Sequence, residues 1–152
     1  MTQVTRATLN EGEQIFELIN IWAGRGQLLP RTLGEVYENI RDFYVVREEN
    51  KVVGCAALHI TWNDLAELKS IAVLDEKHSN GYGKMLVKEC VEEGKILNLS
   101  KIFALTYQPQ FFEKLGWKQA DVMTLPQKVW NECYRCPKFP ACEEIAVTLD
   151  LN

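Results

Sequence analysis

Leu65 to Val73 alternates along its length, then gives way after a polar loop to Gly81-Tyr82-Gly83-Lys84 at the head of a long amphipathic run. No other stretch constrains the chain as much. Leu65, Glu67, Lys69, Ile71 and Val73 fall on one face of an extended segment, and Ala66, Leu68, Ser70 and Ala72 on the other, the period of two that a strand requires. From Tyr82 to Leu97 the period becomes helical, with Met85, Leu86, Cys90 and Leu97 on one side. A strand that feeds a helix in this way predicts helices layered on a sheet. The helix start also leaves N–H groups without intrahelical partners beside about half a positive charge, which suits phosphate. Gly81 and Gly83 remove side chains from the path of an anion, and Lys84 adds a cation. A plain flexible turn would use the same residues. The spacing excludes a Walker loop and a dinucleotide fingerprint, because neither GxxxxGK[ST] nor GxGxxG is present.

The rest of the pattern agrees with a mixed α/β (α+β) chain. Val4 to Ala7 reads as an opening strand, and Asn10 or Glu11 as a helix start before Ile15, Phe16, Leu18, Ile19 and Trp22. Gly24 and Gly26 stop that helix, and Leu28-Leu29-Pro30-Arg31 reads as a loop. Thr32 and Glu35 form a capping box for a second helix through Val36, Tyr37 and Ile40. Phe43 to Arg47 and Val52 to Trp62 are β-rich and separated by the polar turn Glu48 to Lys51. Lys101 to Tyr107 predicts a strand, Gln110 to Leu115 a short helix closed by Gly116, Trp117 the start of another strand, and Ile145 to Leu151 the last. No linker divides the sequence, so one domain over 1–152 is expected.

Composition narrows the function. The 47% hydrophobic and 25% charged fractions are those of a globular chain. Seventeen basic against 21 acidic residues, a net charge of −4, gives no support to a nucleic-acid partner. The longest apolar stretches, such as Cys55 to Leu58, are far too short for a membrane span, and Met1 to Arg6 lacks the apolar core of a signal peptide. A cytoplasmic location is therefore predicted, with the five cysteines as thiols. Cys55 and Cys90 read as core. Cys133-x-x-Cys136-x5-Cys142 provides three ligands where structural zinc wants four, with His59 and His78 far away in sequence. No metal is expected there, and a redox pair or packing thiols are the other readings. His59 reads as a satisfied structural histidine.

Leu68-Lys69-Ser70-Ile71-Ala72-Val73, a short loop, and then His78-Ser79-Asn80-Gly81-Tyr82-Gly83 resemble motif A of the GNAT acetyltransferases. Phe111-Phe112-Glu113-Lys114-Leu115-Gly116-Trp117 resembles their later helix–glycine–aromatic signature. Within that superfamily, Leu28-Leu29-Pro30-Arg31, Glu67, Phe103-Ala104-Leu105-Thr106 and Leu125-Pro126 are similar to the acetyltransferase domain of N-acetylglutamate synthases, here in a short form without the amino-acid kinase domain. The resemblance implies a mixed sheet of about six to seven strands flanked by about four helices. It implies acetyl-CoA as co-substrate, held by Ile71, Ala72, Val73, Ser79, Asn80, Gly81, Tyr82, Gly83 and Lys84. It also implies acetylation of the α-amino group of L-glutamate or L-glutamine, the first step of arginine biosynthesis. A homodimer joined through edge strands is common in the fold; nucleic acid and membrane are not expected partners. Two departures stand out: His78 occupies a position that is usually Arg or Gln, and Phe112 one where many relatives carry the Tyr that protonates the leaving thiolate.

The chemistry needs a base for the amine, donors for the oxyanion and an acid for the thiolate. Glu67 is the candidate base, although an ordinary carboxylate near pKa 4.3 must be raised by burial to serve, and pairing with Lys69 is the bland alternative. Thr106 and Tyr107 are the candidate acids; a phenol is the better donor and Thr106 the better match to the synthases, while either could simply cap the strand end. A glutamate-like substrate calls for cations with fork geometry, so Arg31 leads, next to Leu29. Lys69, Lys128, Arg41 and Arg135 are weaker candidates. The rival readings are an acetyltransferase for another small amine or a protein N-terminus, and a silent acyl-CoA-binding or metal-binding module.

Overall fold

The computed structural model describes residues 3–125 and 144–151. Among them the β-rich segments form seven strands: β1 (Val4–Arg6), β2 (Phe43–Glu48), β3 (Lys51–Trp62), β4 (Leu65–Val73), β5 (Lys101–Thr106), β6 (Lys118–Ala120) and β7 (Ile145–Asp150). They are hydrogen-bonded in the order β1-β2-β3-β4-β5-β7-β6. β1 with β2, β2 with β3, β5 with β7 and β6 with β7 pair antiparallel, and β4 with β5 pairs parallel. Four α-helices are described: α1 (Gly12–Gly24), α2 (Leu33–Glu38), α3 (Tyr82–Ile96) and α4 (Pro109–Glu113). The mixed sheet with flanking helices is the α/β architecture expected from the sequence.

The local signals work as chemistry predicts. Thr32 accepts the Glu35 N–H at 3.0 Å while the Glu35 carboxylate accepts the Thr32 N–H at 3.0 Å, closing the box that opens α2. Glu49 (φ 52°) and Asn50 (φ 65°) are both left-handed, the mirror-image turn whose twist suits a two-residue hairpin, so Glu48 pairs with Lys51. Gly116 takes φ 95° behind α4, a conformation that glycine adopts without strain.

Contacts gather the chain into two compact units, Met1–His59 with Leu68–Glu93, and Ile60–Glu67 with Gly94–Asn152. In the first, Ile15, Leu18 and Ile19 of α1 and Val36 of α2 pack with Phe43, Val45, Val52, Cys55 and Ala72. Phe43 to Val46 and Val52 to Leu58 are buried without interruption, as expected of strands covered on both faces. Burial pushes the Cys55 and Cys90 thiols up to about 12, which makes them inert packing groups. Arg47 donates to both carboxylate oxygens of buried Glu11, and Glu11 also accepts the Thr8 N–H at 2.9 Å. In the second unit Phe103, Leu125 and Ala146 pack with Leu65, Leu105 and Val122. Phe112 is 2% exposed and lies edge-on to Phe111 and Trp117, with ring centres 5.1 and 5.0 Å away. An aromatic ring used for packing accounts for the phenylalanine at this position.

Several details differ from the sequence expectation. Asp75–Asn80 forms a 3-10 turn where a loop was expected, because its N–H groups bond back locally, Lys77 N–H to Leu74 O at 2.9 Å. Leu97 lies beyond α3 and is exposed, so it does not extend that helix's apolar side. Tyr107 falls outside β5. Ser70 has φ 55° in the middle of β4, which interrupts the simple two-face alternation drawn from Leu65 to Val73.

Candidate active site

The turn between β4 and α3 is held from two sides. At its start, Trp22 Nε1 on α1 donates to the Val73 carbonyl at 3.1 Å, and the Leu74 N–H donates to Val53 O at 3.0 Å. The Arg25 guanidinium lies over the Trp22 ring, 4.5 Å from its centre, and forks onto both Asp75 oxygens at 2.9 and 2.7 Å. That bidentate bond raises the Arg25 pKa. Further along, Lys77 Nζ reaches Glu48 at 2.6 Å, and the Tyr82 hydroxyl donates to the same carboxylate. These donors hold Glu48 below the usual carboxylate range and, reciprocally, raise Lys77.

Gly81 closes the turn in the left-handed conformation, φ 77°, and a Cβ placed there would meet nothing within 4 Å. The space beside its backbone is therefore open at the N-terminus of α3, where Met85 N–H bonds back to Gly81 O at 3.1 Å. Lys84 is exposed on the first turn of that helix. A bare glycine, unpaired helix-start amides and a nearby cation are the donor set that a diphosphate uses.

Immediately before the turn, Ser70 is 6% exposed and left-handed, a conformation that is unusual for a residue bearing a Cβ. Cys55 on β3 spans the irregularity: its thiol donates to the Ser70 carbonyl at 3.4 Å and accepts from the Ala72 backbone. The N–H groups of Ile71, Ala72 and Val73 follow this distortion.

A small, open hollow whose enclosed part has room for little more than a water molecule lies within the first unit. Arg31, Glu35, Asn39, Asp42, Lys69 and Ser70 contribute its polar lining. Asn20 of α1 places Arg31 by donating to its carbonyl at 3.1 Å, and the Arg31 side chain is 12% exposed with Glu35 at 3.9 Å. Asp42 is engaged by His59 Nδ1 at 2.7 Å, so His59 has the structural partner expected of it. The structure therefore brings together Arg31 and Lys69, two of the predicted substrate cations. Leu29 is half-buried and outside this lining, and Arg41 is exposed.

In the second unit Glu67 is 3% exposed and is the last β4 residue in the parallel register, opposite Phe103. At the end of β5, Thr106 Oγ1 accepts the Gln108 N–H at 2.8 Å, the strand-end cap weighed for it from sequence. Tyr107 follows it, half-buried. Lys128, Arg135, Pro126 and the cysteines 133, 136 and 142 lie outside the described residues. Among the described residues no cluster could hold a metal ion, and no helix is long and apolar enough to cross a membrane. Sequence reasoning missed Glu48, Arg25 and Trp22, whose roles arise from pairings distant in the chain.

Residues 39–119 match the acetyltransferase (GNAT) domain model. The chain belongs to the GNAT acetyltransferase family. An uncharacterized N-acetyltransferase of Chlorobaculum tepidum is 35% identical over 150 residues, 99% of this chain and 97% of that one. The amino-acid acetyltransferase of Mycobacterium tuberculosis is 31% identical, over 87% of this chain and 77% of its own length. The longer amino-acid acetyltransferase of Yersinia enterocolitica is 31% identical over 85% of this chain, which spans 30% of it. Among solved structures, a Mycobacterium tuberculosis protein in complex with CoA superposes with TM-score 0.83 at 25% identity, covering 98% of this chain and 99% of that one. The N-acetylglutamate synthase of Neisseria gonorrhoeae, with coenzyme A and N-acetyl-glutamate, gives TM-score 0.88 at 23% identity and shows the fold, covering all of this chain and 35% of its own. This GNAT acetyltransferase uses acetyl-CoA as its acetyl donor.

Proposed function

We propose that this GNAT acetyltransferase, acting as a single domain, transfers acetyl from acetyl-CoA to the α-amino group of L-glutamate or L-glutamine, the first step of arginine biosynthesis. The observation that carries the reading is the hollow in which Arg31 and Lys69 stand with Glu35 and Asp42. A lining with charges of both signs suits a substrate that is itself zwitterionic, and the Arg31 fork suits a carboxylate. The names of the amino-acid acetyltransferases similar to this chain support the same class.

In this account the turn from Asn80 to Lys84, with the backbone at Ser79, takes the diphosphate, and the N–H groups of Ile71 to Val73 take the pantetheine arm and the thioester carbonyl. Arg31, assisted by Lys69, Lys128 and the apolar Leu29, orients the amino acid. Glu67 accepts the proton of the amine, directly or through a water. The amine nitrogen bonds to the carbonyl carbon, the oxyanion is held by backbone donors, and the carbon–sulfur bond then breaks. Tyr107 or Thr106 supplies the proton that leaves with the thiol; Thr106 Oγ1 accepts the Gln108 N–H and keeps its own hydroxyl proton to donate. Positioning alone can contribute roughly 7–11 kcal/mol to such a transfer.

A thiol-release assay with acetyl-CoA against the common amino acids tests the reading. Glutamate or glutamine is expected to give the highest turnover, and Arg31→Ala to raise KM for that substrate about tenfold or more. Equal activity of Arg31→Ala and wild type toward it would remove the proposed pocket.

A further inference from the structure

Glu48 ends β2, immediately before the left-handed pair that turns the hairpin. Its carboxylate collects three donors from the segment after β4: Lys77 Nζ at 2.6 Å, the Tyr82 hydroxyl and the Asn80 side chain. In sequence these donors bracket Gly81, the residue whose left-handed backbone shapes the turn. Tyr82 is 6% exposed, so its hydroxyl is committed to this partner while its ring is packed. An acid beside an anion-binding turn disfavours the anion through its charge, and Lys77 offsets that charge locally. What remains is geometric: one acceptor, mounted on a tight hairpin, sets the positions of three residues around a flexible glycine. An exposed ion pair alone would contribute little to stability, whereas ordering a binding loop in advance lowers the entropic cost of binding.

We propose that Glu48 is a positioning residue for the coenzyme, holding the 77–82 turn in the form that receives the diphosphate. The inference rests on the reading that this turn binds that part of acetyl-CoA. It predicts a defect confined to donors that carry a diphosphate.

The test compares wild type, Glu48→Ala and Glu48→Gln with two acetyl donors: acetyl-CoA, and a short acetyl thioester of N-acetylcysteamine that lacks the nucleotide and diphosphate. CoA binding is measured by calorimetry in parallel. Glu48→Ala is expected to raise KM for acetyl-CoA and Kd for CoA about tenfold, with kcat within about twofold of wild type. The kcat/KM for the short thioester should stay unchanged. Glu48→Gln, which keeps an acceptor oxygen, is expected to restore the coenzyme constants to within about threefold. If Glu48→Ala does not fold, Lys77→Met, which removes the donor at 2.6 Å from the Glu48 carboxylate, should show the same split between donors. An unchanged CoA Kd in Glu48→Ala, or equal losses with both donors, would overturn the positioning role. A wild-type protein that fails to bind CoA would overturn the reading of the turn itself.

Discussion

Ser70 bears a side chain in a conformation that suits glycine, and it is buried. Such a residue stores strain of about 1–3 kcal/mol, and β-branching makes it worse. Ser70→Val is therefore expected to lose about 2 kcal/mol of stability relative to Ser70→Gly in urea denaturation; equal stabilities would show that β4 has no obligatory kink. The kink sits immediately before Ile71 to Val73, so the valine variant should also lose activity out of proportion to any loss of fold. Nothing in the letter "Ser" announces this geometry, which is why simple alternation from Leu65 to Val73 was legible and the interruption was not. Glu67 was legible as a residue, while its 3% exposure depends on packing that no local pattern encodes.

At the scale of elements, Glu11 and Arg47 tie the segment before α1 to β2. The Arg47 guanidinium, foremost, holds the Glu11 carboxyl below its ordinary value of 4.5. A carboxyl with a depressed folded-state pKa contributes stability above its unfolded pKa and loses it as pH falls through the folded value. Wild type should therefore lose stability on acidification below about pH 4.5 more steeply than Glu11→Gln, in thermal melts across pH. At neutral pH Arg47→Ala should cost about 2 kcal/mol, since it leaves a buried carboxylate short of donors. Parallel acid limbs in wild type and Glu11→Gln would remove this pair from the account. Element boundaries followed their sequence signals wherever the chemistry was local, as at the Thr32–Glu35 box and the Glu49-Asn50 turn. They failed at Asp75–Asn80, where the conformation is set jointly with Arg25 and Glu48, more than twenty-five residues away in the chain.

For the whole molecule, element order and family were readable because the strand–turn–helix junction and the later Gly116-Trp117 pair carry their own local geometry. The proposed substrate cations were less so: Arg31 and Lys69 are far apart in sequence and come into one lining only through the fold. The proposed role of buried Glu67 as the base in acetyl transfer to an amino acid is read from the pH profile of CoA release with glutamate or glutamine as acceptor, in wild type and Glu67→Gln. Glu67→Gln is expected to lower kcat about a hundredfold or more, with KM for acetyl-CoA little changed and the acidic limb of the profile altered. Full activity of Glu67→Gln at every pH would contradict it.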